Sequence, residues 1–424
     1  MRRQRAPGVL CLLGMIQLPA GGVPDTGPQA EPSGRTFFVR QSVGDDRSDG
    51  LSPATAWRSL GKLSAALRAG DTAYVGPGLY REQLVLANGG TPGRRITLIA
   101  DGGGRMTGDA SGVVVVSGAD PVDEGALTPT RWAGVYSARL RGEPVHGVVE
   151  MDGTQFPFVD AAETREHTVD GMEPRAVVGR LRSSFFYDPA SSTLYLHTSG
   201  DGPPGEHEIE VVRRTSGIYM WGKPYVTVSG FTVRHAQSGA ITFGRGSDHG
   251  LALGNRCFGS HQGIQVLDSD HVVVSGNTLF RNDNSGVYFL SGSEGGLALG
   301  NVLYENVKGI RWGSESDRGT AAGNTTFANV EAGISLERVT GLRLIDNRLV
   351  GNQGAQLRLI EAEHEGEGNC YGPRGPEQLV VHRDREGRYA RLAELRAASG
   401  TERSSTEGEC GPLPAPVEIG DLPR

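Results

Sequence analysis

The sequence lacks an excess of basic residues and any strict glycine triplet. Its 42 Lys and Arg residues are outnumbered by 49 Asp and Glu residues, so the formal net charge is -7 at pH 7 and the pI is near 5.9. This balance excludes the basic surface expected of a nucleic-acid-binding protein. The 64 glycines do not recur at every third position, which excludes collagen and instead indicates a chain rich in turns.

Long apolar runs are also missing. The one sizeable run, residues 9–18, follows three arginines near the start of the chain and precedes Pro19. That order is typical of a secretory signal peptide, and the run is too short to cross a membrane. We therefore predict a signal peptide over residues 1–20, no membrane span, and a secreted or periplasmic protein. Residues 21–34, rich in Gly, Pro and polar residues, have the composition of a disordered linker.

Cysteine is scarce, with four in the whole sequence. Cys11 lies inside the predicted signal peptide and would be removed with it. Cys370 and Cys410 flank the C-terminal segment, and we expect them to pair as a disulfide in an oxidising compartment. This leaves Cys257, which we predict to be a buried thiol.

The clearest signal that is present is a Gly-Asn pair that returns about once every 23 residues. Its copies are Gly254-Asn255, Gly276-Asn277, Gly300-Asn301, Gly323-Asn324 and the degenerate Asp346-Asn347. A second set of asparagines follows the same period: Asn282, Asn306, Asn329 and Asn352. Asparagine tolerates left-handed backbone and can hydrogen-bond to its own turn, so we interpret both sets as structural residues of repeated corners.

The short segments between these turns align in three columns. One apolar column is Ile218, Ile241, Ile264, Val287, Ile310, Ile334 and Leu357. The other apolar column is Met220, Phe243, Val266, Phe289, Trp312, Leu336 and Leu359. Between them runs a mostly polar column: Tyr219, Thr242, Gln265, Tyr288, Arg311, Ser335 and Arg358. This alternation at a fixed period is typical of a half-buried strand that is copied once per coil of a solenoid.

We therefore predict an all-β protein whose main body is a parallel β-helix of about 23 residues per coil. The β-branched and aromatic residues between Gly, Asn, Ser and Asp turns argue against a helical repeat. Stacked strands lie about 4.8 Å apart, so seven coils make a face on the order of 34 Å long. Cys257 shares an interior column with Leu279, Leu303 and Leu349.

The repeat predicts the organisation of the rest of the chain. An N-terminal cap and first coils occupy residues 35–121, including a capping helix over 55–69 that covers the open end of the solenoid. Irregular residues 122–207 predict a small inserted β subdomain. The main coils span 208–361, and 362–424 form a C-terminal cap and tail with a helical pattern over 388–398.

Several motifs resemble secreted proteins of the pectate-lyase-like right-handed β-helix superfamily. They are Phe-Val-Arg-Gln at 38–41, Gly-Asp-Thr-Ala-Tyr-Val-Gly-Pro-Gly-Leu-Tyr-Arg-Glu at 70–82, Tyr-Asp-Pro at 187–189, Leu-Tyr-Leu at 194–196 and Leu-Ala-Glu-Leu-Arg-Ala-Ala-Ser-Gly at 392–400. The resemblance implies a right-handed β-helix, in agreement with the general handedness of parallel crossovers. It implies lyases, hydrolases or epimerases acting on polysaccharides without selecting among them.

In such proteins the outward column would hold the sugar chain. Aromatic rings stack on sugars, while Arg and Gln hydrogen-bond hydroxyl or carboxylate groups. We therefore predict that Tyr219, Gln265, Tyr288 and Arg358 contact a polysaccharide. Tyr288 and Arg311 are neighbours in the column and form the predicted binding pair.

A glycosidase needs two carboxyl groups, about 5 to 5.5 Å apart for retention or about 6.5 to 9.5 Å apart for inversion. Coil spacing supplies such pairs readily. Asp283 and Glu305 precede the binding pair in the chain, so we predict them as the catalytic carboxylates. Two other pairs have a similar spacing: Glu294 with Asp317, and Glu315 with Glu337.

A lyase would instead need a base and a cation that neutralises a uronic carboxylate. Lys308, Arg311 and His261 are the candidate bases. Calcium-dependent pectate lyases have a compact set of Asp and Glu residues beside a lysine, and this sequence shows no such set. Asp268 and Asp270 are the acidic pair that comes nearest to that pattern. Calcium stays open as a cofactor, and the turn at residues 44–50 is its other candidate site.

The sequence thus predicts a monomeric protein that binds and cleaves an extended polysaccharide, with hydrolysis favoured over elimination. The rival hypothesis is a non-catalytic scaffold for adhesion or glycan binding, because the main coils lack long loops that would wall a cleft. The two hypotheses differ over where the inserted subdomain lies: an insert beside the Tyr288 and Arg311 face favours an enzyme.

Overall fold

A computed structural model of the protein describes residues 34–140, 142, 144–150, 155–156, 174–200, 202–204, 208–373, 379–383 and 387–416. The predicted signal peptide and the linker up to residue 33 lie outside the described residues. No helix in the described ranges is long and apolar enough to span a lipid bilayer.

Three ten-stranded sheets, which we name A, B and C, form the solenoid. Sheet A contains Thr36–Val39, Thr72–Val75, Ile96–Ala100, Val226–Ser229, Leu251–Leu253, Val273–Ser275, Leu297–Leu299, Thr320–Ala322, Leu342–Ile345 and His364–Glu367. Sheet B contains Gly78–Tyr80, Val114–Ser117, Thr232–Arg234, Arg256–Phe258, Thr278–Phe280, Val302–Tyr304, Thr325–Phe327, Arg348–Val350, Cys370–Gly372 and Thr406–Glu407. Sheet C contains Leu84–Val85, Ile218–Trp221, Gly239–Gly244, Gln262–Leu267, Ser285–Leu290, Lys308–Gly313, Ala332–Glu337, Ala355–Ile360, Leu379–Arg383 and Gly387–Tyr389.

The strands run A, B, C in each coil and pair in parallel with the next coil, so the predicted parallel β-helix is confirmed. Only the last strand of sheet C, Gly387–Tyr389, pairs antiparallel within these three sheets. The register also confirms the predicted columns: Tyr288, for example, lies opposite Gln265 on one side and Arg311 on the other. Both apolar columns and Cys257 point into one continuous buried core, because alternate residues of a strand face opposite sides.

Asparagine ladders hold two of the three corners. Between sheets A and B, Asn301 donates from Nδ2 to Asn324 Oδ1 at 2.9 Å, and the same bond repeats from Asn255 to Asn369. Between sheets B and C, Asn282, Asn306, Asn329 and Asn352 form the second ladder. All are buried, and their amides satisfy carbonyl and N–H groups that the turn would otherwise leave unpaired.

The N-terminal cap is less helical than predicted. The helix over 55–69 reduces to Gly61–Ala66, preceded by a 3-10 turn at Pro53–Thr55. Trp57, Leu60, Leu63 and Leu67 are nonetheless buried against the first coils, because the apolar spacing still serves an irregular segment that covers the core.

The C-terminal cap closes the other end. Its helix is Leu392–Ser399, close to the predicted 388–398, and it buries Leu392 and Leu395. Cys370 and Cys410 form the expected disulfide. Strand pairing carries the coils beyond residue 361, through His364–Glu367 and Cys370–Gly372, into what was predicted as cap.

Glu402 ends the asparagine ladder of the A–B corner. Its buried carboxylate accepts hydrogen bonds from Asn369 Nδ2 at 3.0 Å, Tyr371 Oη at 2.7 Å, His364 Nε2 at 2.9 Å and Ser405 Oγ. Burial acts to raise the pKa of Glu402, but the hydrogen bond and charge of His364 and the bonds from Ser405 and Asn369 outweigh it, so the pKa is lowered.

The inserted subdomain is somewhat longer than the predicted 122–207. One antiparallel sheet has the order Gln155–Phe156, Gly147–Glu150, Ile209–Val212 and Ala119–Pro121. The other has the order Ser184–Asp188, Thr193–His197, Val135–Arg139 and Thr128–Pro129. Two short helices, Glu124–Ala126 (3-10) and Pro174–Val178, accompany these sheets.

The insert leaves the solenoid after the sheet B strand Val114–Ser117 and returns at the sheet C strand Ile218–Trp221. It therefore branches from the corner between sheets B and C. Buried Glu210 joins it to the coils by accepting from His235 Nδ1 at 3.0 Å and pairing with Arg81 Nη2 at 2.7 Å. Burial raises the pKa of Glu210, but His235 and the two arginines Arg234 and Arg81 lower it to about 2.

Candidate functional site on sheet C

The outward column of sheet C brings Tyr288 and Arg311 together, as the alignment predicts. The Arg311 guanidinium lies over the Tyr288 ring, with Cζ 4.4 Å from the ring centroid. The Tyr288 ring also leans over Gly313 of the next coil, where an added Cβ would lie 3.3 Å from Tyr288 Oη. Tyr288 is consequently only 8% exposed, and burial raises the pKa of its hydroxyl although Arg311 acts to lower it. The ring supports Arg311 and is not open as a platform for a sugar.

Arg311 belongs to a group of charged side chains that we name the charge cluster: Lys308, Arg311, Glu331, Glu337 and Arg358. Lys308 Nζ pairs with Glu331 Oε2 at 2.7 Å, and Arg358 Nη1 lies 3.3 Å from the same oxygen. Arg311 donates to Glu337 Oε2 from Nε at 3.0 Å and from Nη2. Ser335 Oγ completes the shell of Glu337 by donating to Oε1 at 2.9 Å.

The charge cluster contains two carboxylates that share one guanidinium. Arg358 Nη1 is 3.3 Å from Glu331 Oε2 and 4.0 Å from Glu337 Oε1. Since both oxygens lie within 4.0 Å of the same nitrogen, their separation is less than twice that distance. This bound includes the spacing of retaining glycosidases and the lower part of the inverting range, about 6.5 to 9.5 Å.

Glu331 is held in its ionised form. Burial would raise its pKa, but the hydrogen bond from Lys308 and the positive charges of Lys308, Arg358 and Arg311 outweigh this effect and lower the pKa. A carboxylate of this kind can accept a proton weakly or stabilise positive charge, and it is a poor proton donor at neutral pH.

His261 and Asp283 form a second group at the corner between sheets B and C. His261 Nδ1 lies 2.5 Å from Asp283 Oδ1, and the side chains are 44% and 58% exposed. A carboxylate at Nδ1 orients the ring for proton transfer at Nε2, which in this structure lies 3.4 Å from Asn284 Nδ2. The pairing arises because His261 and Asp283 each follow the second ladder position of their coil, Ser260 and Asn282.

Glu305 does not stack on Asp283. It comes directly before the ladder residue Asn306, whereas Asp283 comes directly after Asn282, so the two carboxylates occupy different positions of the corner. Glu305 Oε2 instead accepts from Arg281 Nε at 2.7 Å. The ladder step at this corner is 24 residues, from Asn282 to Asn306, so a spacing of 22 residues falls two positions short of the stacked one.

Two predicted binding residues lie nearer the N-terminal end of the face. Gln265 Oε1 accepts from Ser238 Oγ at 3.1 Å. The Tyr219 ring is near-parallel to the Trp221 ring, with centroids 5.9 Å apart, and burial raises the pKa of the Tyr219 hydroxyl. Arg358, the fourth, lies at the other end within the charge cluster.

The remaining acidic candidates contact local donors. Glu294 pairs with Arg318, Asp317 accepts from the Thr340 N–H at 2.6 Å, and Asp268 lies 3.6 Å from Arg245. In the turn at 44–50, Asp45 pairs with Arg47, while Asp46 and Asp49 accept hydrogen bonds from the segment that follows, at Ser59 and Thr55. Within the described ranges, no three His, Cys, Asp or Glu residues are grouped so that they could hold a metal ion.

Sequence reasoning missed Glu331 and Glu337 as members of the site. The sequence singles out Glu337 only by its spacing from Glu315. Glu331 belongs to none of the aligned columns, because it lies just before the strand Ala332–Glu337. The signal that was available is opposite charge in adjacent coils: Glu331 lies between Lys308 of the preceding coil and Arg358 of the following coil.

Residues 203–367 match the model of a family described as periplasmic copper-binding protein (NosD). No match is found among curated proteins. Among the described residues of the matched region, no three His, Cys, Asp or Glu side chains are grouped as a metal site. Cys257 lies in the core, and the rings of His249 and His271 are tilted to each other with centroids 5.1 Å apart.

The chain also aligns with solved structures. A complex of XylC with xylose is 16% identical with a TM-score of 0.62, over 82% of this chain and 69% of that chain. A glycoside hydrolase is 11% identical with a TM-score of 0.53, over 87% and 99%. Pectate lyase Pel9A is 12% identical with a TM-score of 0.43, over 80% and 70%. The first two of these similarities concern the fold alone, and they agree with the predicted parallel β-helix.

Proposed function

We propose that the protein binds an extended polysaccharide along the outer face of sheet C and hydrolyses it at the charge cluster. The observation that carries this proposal is the pair of carboxylates, Glu331 and Glu337, held against Arg358 on the face where a sugar chain would lie. The upper bound on their separation includes the spacing of the two carboxyl groups in retaining glycosidases.

The two carboxylates differ in their surroundings, which suits different roles. Glu331, kept ionised by Lys308, would act as the nucleophile or base. Glu337 would protonate the leaving oxygen once a bound sugar takes over the guanidinium groups of Arg311 and Arg358 that contact it in the free protein. The originally predicted Asp283 and Glu305 remain a second carboxylate pair for the same test.

A lyase is the second candidate, and the His261–Asp283 contact is the observation that favours it. His261 would remove the proton beside a uronic carboxylate through Nε2 while Asp283 holds the ring. Lys308 and Arg311 would neutralise the substrate carboxylate, with calcium as a possible addition at the same surface.

The surroundings support carbohydrate as the ligand and an extracytoplasmic location. Two solved structures that align with a TM-score above 0.5 are named for sugar chemistry, a xylose complex and a glycoside hydrolase. The matching family is described as periplasmic, and disulfides such as Cys370–Cys410 persist in oxidising compartments. The insert branches from the corner that carries His261 and Asp283 on later coils, and its Glu210 contacts Arg81 and His235 of the first coils. We propose that the protein acts as a monomer.

The test is incubation of the mature protein with neutral and uronic polysaccharides, with and without calcium. Reducing ends report any cleavage, and ultraviolet absorbance reports unsaturated products. We expect reducing ends without absorbance, lost in Glu331→Gln and Glu337→Gln by about 100-fold or more. Glu294→Gln, which alters an ion pair with Arg318 outside the charge cluster, is the matched control and should keep full activity.

Other outcomes select among the alternatives. Absorbance that disappears in His261→Ala would identify a lyase. Loss of hydrolysis in Asp283→Asn and Glu305→Gln, with Glu331→Gln active, would move catalysis to the corner. Binding of a polysaccharide without either product would contradict the enzyme and support the scaffold.

A further inference from the structure

Trp221 is a large apolar side chain left open on the face of sheet C. It is 39% exposed, whereas Trp57 and Trp312 are 7% and 0% exposed. Trp221 ends the strand Ile218–Trp221, and two positions before it Tyr219 presents a near-parallel ring with its centroid 5.9 Å away. Exposed Val85 lies beside Tyr219 in the preceding coil. The three side chains make an apolar patch at the N-terminal end of the sheet C face.

The neighbouring coil is shaped to let the indole lie flat. Gly244 is the register partner of Trp221, and a Cβ at that position would lie 2.5 Å from Trp221 Cε3. The absent side chain therefore leaves the space that the ring fills. Arg245, the next residue, places its guanidinium over the Trp221 ring, with Cζ 5.6 Å from the ring centroid, yet Trp221 stays 39% exposed. The exposed part of the indole, with the N–H donors of Arg245 beside it, is a surface suited to stacking a pyranose.

We propose that Trp221 and Tyr219 form a distal sugar subsite, which holds a polysaccharide chain away from the charge cluster. This inference rests on the proposed function and deepens it. The buried Tyr288 cannot stack on a sugar, so the open aromatic contact of the sheet C face lies at Trp221 instead. The occupant is a pyranose of the same chain whose reacting bond lies at Glu337.

The register sets the length of chain that the subsite requires. Trp221 and Glu337 occupy the same position of the sheet C strand in different coils. The register partners between them are Gly244, Leu267, Leu290 and Gly313. Five coil steps of about 4.8 Å place them about 24 Å apart. An extended pyranose chain advances by nearly one coil spacing per sugar, so the subsite engages only chains longer than about five units.

The experiment is equilibrium binding of size-fractionated oligosaccharides, from trimer to decamer, to Glu337→Gln protein, which avoids turnover. The oligosaccharides come from the polysaccharide that the wild-type chain binds in the panel. We expect the affinity to rise for oligosaccharides longer than about six units. Trp221→Ala should weaken the binding of these long oligosaccharides roughly three- to tenfold and leave the binding of the trimer unchanged. Trp221→Phe should keep most of it. Gly244→Ala should reproduce the loss with the indole still present, because the methyl group displaces the ring.

Val330→Ala, another exposed apolar residue, is the matched control and should bind as the parent does. Equal weakening for all lengths in Trp221→Ala, or unchanged binding of the decamer, would overturn the subsite while leaving the proposed function intact. Failure of the wild-type chain to bind any polysaccharide would overturn both.

Discussion

The corner between sheets A and B and the outer face of sheet C are built by the same coils. At the corner every coil from Asn255 to Asn369 supplies the same residue in the same hydrogen-bonded position. On the face the corresponding residues change from coil to coil, from Tyr219 to Gln265 to Arg311. The repeat is thus conserved within the molecule where neighbouring coils must fit each other, and varies where coils face solvent.

This difference separates two kinds of polar side chain. The corner asparagines are buried and hydrogen-bond to backbone groups, so their amides are already paired within the fold. The charged residues of the sheet C face bond mainly to one another, as Lys308 does to Glu331, and can exchange those partners for a ligand. We expect substitutions at the corner to change stability, and substitutions on the face to change binding and turnover.

Asn301→Ala should have the largest effect on stability. The side chain donates to Val274 O and Asn324 Oδ1, both at 2.9 Å, and accepts from Asn277 N and Nδ2 at 2.9 and 3.0 Å. Removing it leaves several buried polar groups unpaired, which should cost about 3 to 5 kcal/mol. Chemical denaturation followed by circular dichroism measures the change.

Gln353→Ala is the control for the ladder, because Gln353 directly follows the buried Asn352 but points outward and is exposed. It should change the free energy of unfolding by less than about 0.5 kcal/mol. Equal effects of the two substitutions would contradict the assignment of the ladder as the main structural element of the corner.

Acid should weaken the end of the ladder. The pKa of Glu402 is lowered in the folded chain, so its contribution is present above its ordinary value of 4.5 and is lost as the pH falls through the lowered pKa. The amides of the ladder do not titrate. Stability measured from pH 7 to pH 3 should therefore fall less steeply in Glu402→Gln than in wild type, although the variant is weaker at pH 7.

Glu210, whose pKa is lowered to about 2, contributes in the same direction at the attachment of the insert. Glu210→Gln consequently serves as a second reference for the acid experiment. If Glu402→Gln kept the full acid dependence of the wild type, the titrating group would lie elsewhere.

Glu337→Gln should cost less stability than Asn301→Ala, about 1 to 2 kcal/mol, because a Gln side chain can still accept a hydrogen bond from Arg311 although the two side chains are only 12% and 22% exposed. Its effect on polysaccharide turnover should be about 100-fold or more. Parallel measurement of melting and turnover in Glu337→Gln and Glu294→Gln separates the two roles. A large loss of stability in Glu337→Gln would place the charge cluster with the corner, as part of the fold.

The repeat allowed the fold to be predicted closely. The seven-residue columns, the buried Cys257 and the pairing of Cys370 with Cys410 all agree with the structure, because one period determines which residues stack. The ends were less predictable. The N-terminal cap shares apolar spacing with a helix over 55–69 but forms one only at Gly61–Ala66, since packing on the first coils outweighs local preference.

The site depends on contacts that spacing does not specify. The 22-residue step from Asp283 to Glu305 suggested stacking, yet the residues fall on opposite sides of the ladder asparagine. Arg358 contacts both Glu331 and Glu337, which belong to the preceding coil. These contacts depend on the conformations of three long side chains, which residue spacing does not specify. Similarly, Tyr288 is covered by Arg311 while Trp221 is open, a difference that strand alternation alone does not predict.

The ladder from Asn255 to Asn369 has a direction as well as a repeat. Each side-chain amide donates toward the next coil, so the small dipoles add along the solenoid axis, as peptide dipoles add along a helix. The positive end of this row lies at Asn369, and there the Glu402 carboxylate accepts the last N–H at 3.0 Å. The C-terminal cap therefore places a negative charge at the one end of the row where the summed field stabilises it, and couples closure of the solenoid to the order of every coil before it.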